Sequence, residues 1–211
     1  MGGAIPGTIP LFPLPDVVLF PAMPLSLHIF EPRYRRMIED VQAADRIIGM
    51  ALLKPGWDAD YYGAPEVYGV GCAGRVEQCE ALLDGRFNIV LKGLTRFQIV
   101  REEPGKSYRQ AAVAPLLDEL GEPIALETAR RKVMAAIGQA ADGPAVLVMQ
   151  PELPHEVFVN ALCQSLTLSP VERQSLVETG SILGRYERLC AILEFRALEQ
   201  RVHGSRPTPL A

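Results

Sequence analysis

Residues 9–34 read Ile9-Pro-Leu-Phe-Pro-Leu-Pro-Asp-Val-Val-Leu-Phe-Pro-Ala-Met-Pro-Leu-Ser-Leu-His-Ile-Phe-Glu-Pro-Arg-Tyr34, and this stretch decides the fold class. It holds two apolar strand runs punctuated by prolines, which a β-rich region places at strand ends because proline has no amide to give to a ladder. Leu25, Leu27 and Ile29 alternate with Ser26, His28 and Phe30, the period-two pattern of a strand with one buried face. Pro32 then opens a helix, where the first turn has no intrahelical donor to lose. Tyr34, Met37, Ile38 and Val41 fall at i, i+3, i+4 and i+7 and make its apolar stripe; Arg33, Arg35, Arg36, Glu39 and Asp40 lie outside it.

Outward from there, residues 47–53 are a near-continuous apolar run of strand length. Asp84-Gly85 is a hairpin signal, since glycine supplies the positive φ a tight turn needs. Phe87, Ile89 and Leu91 alternate with Asn88, Val90 and Lys92; Gly93 breaks the pattern, and Phe97 and Ile99 resume it. A glycine between two strand runs predicts a bulge or sharp corner, the device by which small barrels close. Pro104-Gly105 turns the chain into a last strand near residues 109–114. From about residue 119 the period becomes 3.6. Leu126, Ala129, Val133 and Ile137 mark one helix, ended by Asp142-Gly143-Pro144, and residues 153–166 a second. Ser169-Pro-Val-Glu172 is a capping box opening a short helix that stops near Gly180. Ile182, Tyr186, Leu189, Cys190, Leu193 and Ala197 stripe a final helix. The expectation is an α+β chain: a β-rich lobe with one helix over residues 1–117, a helical subdomain over 118–202, and a disordered tail over 203–211.

Five segments together resemble one known family: the opening stretch, Gly69-Val-Gly71, Asp84-Gly85-Arg86-Phe87, Gly93-Leu-Thr-Arg96-Phe97 and Leu168-Ser-Pro-Val-Glu-Arg-Gln174. They are similar to the substrate-binding (N-terminal) domain of the Lon protease family, from residue 8 to about residue 200. The resemblance implies a PUA-like β pseudo-barrel followed by a C-terminal helical bundle, with a cleft between them. It also implies recognition of exposed apolar segments of other polypeptides. Full-length Lon enzymes carry an ATPase module with a Walker A loop, G-x-x-x-x-G-K-[ST], and a proteolytic module. This sequence contains neither. A stand-alone, non-enzymatic, peptide-binding protein is therefore expected, an adaptor or holding factor that forms at most a weak homodimer.

Composition narrows the alternatives. Net charge is −4, with 12 basic and 13 acidic residues up to position 117 and 9 and 12 beyond it. A nucleic-acid binder needs a basic stripe to neutralise phosphates. None is visible, so an RNA-binding PUA-like module is the alternative reading, resting on fold analogy alone. Cys72, Cys79, Cys163 and Cys190 show neither C-x-x-C nor zinc spacing, which predicts free thiols in a reducing compartment. No basic residue precedes Arg33, and no apolar run approaches the ~20 residues of a spanning helix. The expected location is cytoplasmic, away from membranes.

No catalytic constellation emerges. His28, His155 and His203 are scattered, no G-x-S-x-G or Ser-x-x-Lys motif occurs, and only four lysines are present. Gly69-Val-Gly71 lacks the third glycine and following helix of a dinucleotide loop, and close backbone approach inside a barrel accounts for it. Glu102-Glu103 and Asp58-x-Asp60 read as solvated turn charges. No metal or cofactor is implied. A small-molecule or hydrolytic role in the interlobe cleft would need convergent polar groups around Glu31, Arg33 and His28. The binding candidates are Trp57, Tyr61 and Tyr62, three aromatics in a Gly/Asp-containing loop, together with Arg33 and Arg96. Packing offers another account of each: the aromatics would cap the barrel against the helical lobe, and the arginines would pair with Glu31, Asp16 or a carbonyl to lock the first helix onto the barrel.

Overall fold

The computed structural model describes residues 4–139 and 152–204. Six strands, β1 (Thr8–Leu14), β2 (Pro24–Ile29), β3 (Ile47–Leu52), β4 (Val70–Ala81), β5 (Phe87–Glu103) and β6 (Gln110–Leu116), form one mixed sheet in the order β2-β5-β4-β3-β1-β6. β6 also pairs with β5, so β5, β4, β3, β1 and β6 close on themselves. The long β5 makes this possible. One edge of it meets β4 over residues 87–98. The other meets β2 over residues 87–92 and β6 over residues 96–103.

The change of partner falls at Gly93. The β4–β5 register shifts between Ala73 and Gly74, leaving Leu94 as an extra residue on β5. A Cβ on Gly93 would lie 2.1 Å from the Phe20 carbonyl oxygen, so only glycine fits. Gly71 has the close approach the sequence suggested: a Cβ there would sit 2.3 Å from the Met50 carbonyl oxygen and 2.7 Å from the Phe97 ring. β1 and β3 are parallel, which demands a crossover, and β2 with the first helix, α1 (Pro32–Gln42), supplies it. The α1 stripe of Tyr34, Met37, Ile38 and Val41 is fully buried against Phe12, Ile48 and Ile89. All six residues of β3 are buried, because its two faces serve different clusters of the core.

Four helices follow: α2 (Pro123–Gln139), α3 (His155–Ser165), α4 (Pro170–Glu178) and α5 (Ile182–Gly204). The expected terminator Asp142-Gly143-Pro144 and the tail beyond residue 204 lie outside the described residues. The α4 capping box is present: the Ser169 hydroxyl accepts from the Glu172 amide at 3.3 Å, and Glu172 accepts from the Ser169 amide at 2.6 Å. Leu126, Ala129, Val133 and Ile137 of α2 are buried as the periodicity predicts. On α5, Cys190 and Ala197 are only half-buried. The helical core also includes Val18, Phe20, Met23 and Leu52, so strand and helix regions share one continuous apolar cluster.

Candidate functional site

Between β3 and β4 the chain makes a loop that begins at Gly56 in the left-handed region, with φ of 89°. One short 3₁₀ turn, Trp57–Asp60, follows. Trp57 and Tyr61 meet edge to face at 5.5 Å between centroids, and Tyr61 and Tyr62 at 5.2 Å. The loop is fastened to the start of α1. Glu31, at its N-cap position, accepts from the Tyr61 hydroxyl at 2.6 Å with one carboxylate oxygen and from Arg33 Nε at 3.0 Å with the other. The Arg33 guanidinium stacks between the rings of Tyr34 and Tyr61, at 4.6 and 5.2 Å. Sequence reasoning thus named four residues, Trp57, Tyr61, Tyr62 and Arg33, that the fold brings together. It offered Glu31 as a partner for Arg33 and missed that the same carboxylate also holds Tyr61. The aromatics cap the start of α1 in the barrel half.

Burial and the hydrogen bond to Glu31 push the Tyr61 phenol up, and burial pushes Tyr34 to about 12. Burial alone would lower Arg33, but neighbouring Tyr34 and Glu31 more than offset it and its pKa rises. What faces solvent is an aromatic edge: Tyr62 is 87% exposed, and Trp57 and Tyr61 are half-buried. Asp58 and Asp60 stand exposed on its rim. Beside it lies a polar depression of about 440 Å³, whose lining includes Arg33, Tyr62, Glu102 and Arg109. Its cations are spoken for: Arg109 forks onto Glu102 and reaches the Pro65 carbonyl at 2.8 Å, while Lys106 pairs with Asp40 at 2.9 Å.

Arg96 is elsewhere. It is 2% exposed, and no ligand can touch it in this structure. Its guanidinium donates to Asp118 at 2.6 Å, to the Val177 carbonyl at 3.2 Å and to the Leu117 carbonyl at 3.4 Å. Arg185, fully buried, meets the same carboxylate at 2.9 and 3.1 Å and donates to Asn160 at 2.6 Å. Asn160 in turn donates to the Pro21 carbonyl at 3.1 Å. Arg96 is therefore a packing residue, as one sequence reading allowed. It locks the helices onto the barrel, through Asp118, where the sequence reading had it fasten α1.

His28 and His155 each contact other side chains of the fold. His28 lies on the exposed sheet face with Asn88 at 2.8 Å and Arg86 at 3.2 Å. His155 is half-buried edge-on to Tyr186. Burial pushes the Cys72 and Cys163 thiols up to about 12. Among the described residues no three His, Cys, Asp or Glu side chains are placed to hold a metal ion, and no helix is long and apolar enough to cross a membrane. A second concavity, an apolar groove between α2 and α5, was not anticipated from sequence.

Comparison with known proteins places this geometry in context. Residues 8–194 match the family model for the ATP-dependent protease La (LON) substrate-binding domain. Lon protease 2 of Desulfotalea psychrophila is 31% identical over 198 residues, covering 90% of this chain and 25% of that protein. Lon protease of Azorhizobium caulinodans is 26% identical over 199 residues, covering 90% of this chain and 23% of that protein. The chain thus spans about a quarter of the length of these relatives. The fold is similar to that of the Lon N-terminal domain protein from Xanthomonas campestris, with a TM-score of 0.62 and 24% identity over 87% of this chain and 97% of that one. It is also similar to the N-terminal domain of Mycobacterium avium complex Lon protease, with a TM-score of 0.68 and 15% identity over 89% and 98%.

Proposed function

This chain belongs to the ATP-dependent protease La (LON) substrate-binding domain family, and from that premise we propose that it recognises apolar segments of other polypeptides through the aromatic edge of Trp57, Tyr61 and Tyr62. The family supports a substrate-recognition role; the residue assignment is ours. One observation carries it. Three aromatics stand at the surface on a loop that Glu31 and Arg33 fasten at Tyr61. Rigid aromatics give large contact area at low entropic cost, and pre-fastening the loop removes part of the ordering cost of binding. The closed five-stranded barrel supplies the support and is, on this reading, of the PUA-like type, with α2–α5 as its C-terminal bundle. Recognition here is burial and shape, with no bond made or broken, as befits an adaptor or holding factor in the cytoplasm.

A peptide array tests this. Aromatic and apolar 12–15-residue peptides should be retained over polar ones, with Tyr62→Ala and Trp57→Ala each weakening retention about tenfold. Equal retention of polar and apolar peptides, or variants that bind like the parent, would remove the assignment. A short RNA pool on the same array checks the alternative reading: retention of RNA but of no peptide would leave only the fold.

A further inference from the structure

Exposed apolar side chains gather where the chain enters α2. Leu120 is 58% and Ile124 84% exposed, beside a groove of about 820 Å³ between the first half of α2 and α5. Ala125, Thr128 and Ala129 line the α2 side with small side chains, and Leu183 lines the α5 side. Glu122, the residue just before α2, and Lys132, in its third turn, also line it. Neither has an ion-pair partner among the described residues, whereas Lys54 and Lys106 pair with Glu66 and Asp40.

We propose that this groove is the contact between two copies of this chain related by a two-fold axis. The charges argue for that occupant because they are self-complementary. Glu122 and Lys132 are ten residues apart, about 15 Å along the helix. A two-fold axis crossing α2 near residue 127 sets Lys132 of each copy against Glu122 of the other, so one operation satisfies all four charges. A partner of uniform charge would meet attraction at one end of the groove and repulsion at the other. The same operation lays each Ile124 over the small side chains of the facing groove, removing an exposed β-branched residue from water. Glu187, on the α5 side, lends further negative charge toward the incoming lysine.

Sedimentation velocity of the full chain across about 1 to about 100 µM tests it. The expected result is a reversible rise from the 23.1 kDa monomer toward twice that mass. Ile124→Glu should abolish the rise. Glu122→Lys and Lys132→Glu should each weaken association about tenfold, and the double variant should restore it. These side chains are exposed, and an unchanged circular-dichroism melt verifies that each variant folds. A mass that stays monomeric throughout, or a dimer indifferent to all three single changes, overturns the proposal. So does a double variant no better than the singles. Because the groove is separate from the aromatic loop, Ile124→Glu should still bind peptides.

Discussion

Arg33 and Arg96 use the same chemistry, a guanidinium against a carboxylate, in two regions of opposite character. Arg33 and Glu31 sit at a rim with their side chains 20% and 16% exposed, and their work is to hold an aromatic loop open to solvent. Arg96 shares Asp118 with Arg185 in the interior, where the three side chains tie barrel to helices. The difference teaches that solvent access decides the role of an ion pair. At the rim, water can still reach a partner left behind; in the interior the loss of one partner leaves a charge that nothing else compensates.

The sharpest way to break that contrast is at Asp118. Asp118→Ala leaves two buried guanidinium groups facing each other and should cost about 3–5 kcal/mol in urea unfolding; a loss below about 1 kcal/mol would mean the interior network is dispensable. Arg96→Met is expected to cost less, about 2 kcal/mol, because the Asp118–Arg185 pair survives it. At the rim the order of effects reverses. Glu31→Gln should change stability by under about 1 kcal/mol yet weaken peptide binding several-fold, because Tyr61 and Arg33 lose their shared acceptor. A stability loss as large as that of Asp118→Ala would erase the distinction between the two regions.

A pH dependence reads the same burial without any substitution. Tyr34 and Tyr108 are raised in the fold from 10.0 to about 12, chiefly by burial and, for Tyr108, also by its hydrogen bond to Asp40. Above pH 10 the unfolded chain releases these protons while the folded chain keeps them. The unfolded state then binds fewer protons, and stability falls as pH rises toward 12. Urea unfolding between pH 8 and pH 11.5 should show a plateau and then a decline, shallower in Tyr108→Phe. A curve of unchanged steepness would mean that these phenols do not set it.

Local features were legible in the sequence because each depends on neighbours along the chain: the α1 stripe, the Asp84-Gly85 hairpin, the break at Gly93 and the Ser169 capping box. What depends on distant pairing was not. The closing contact joins Arg96–Glu103 of β5 to β6 and follows from register, which alternation alone does not reveal. The helices' tie to the barrel had a sign that went unread: Arg185 lies three residues after Ile182 and four before Leu189, within the apolar stripe of α5. A charged residue on a buried stripe demands a partner, and Asp118 is that partner. Of the site, the loop aromatics and Arg33 were legible from composition. The packing role of Arg96 was legible as one of two readings, but its partner was not, because Asp118 lies 22 residues along the chain and reaches it only after β6 has paired with β5.

Trp57 is the only tryptophan in the chain, so its fluorescence reports the candidate site alone. The most direct measurement is a titration of the protein with a tryptophan-free peptide rich in phenylalanine and leucine, followed at Trp57 emission, with a Ser/Gly-rich peptide as reference. A saturable blue shift with the apolar peptide, absent with the reference and weakened about tenfold in Tyr62→Ala, is what the account predicts. Saturable peptide binding detected by calorimetry while Trp57 emission stays unchanged would contradict it and move the site elsewhere.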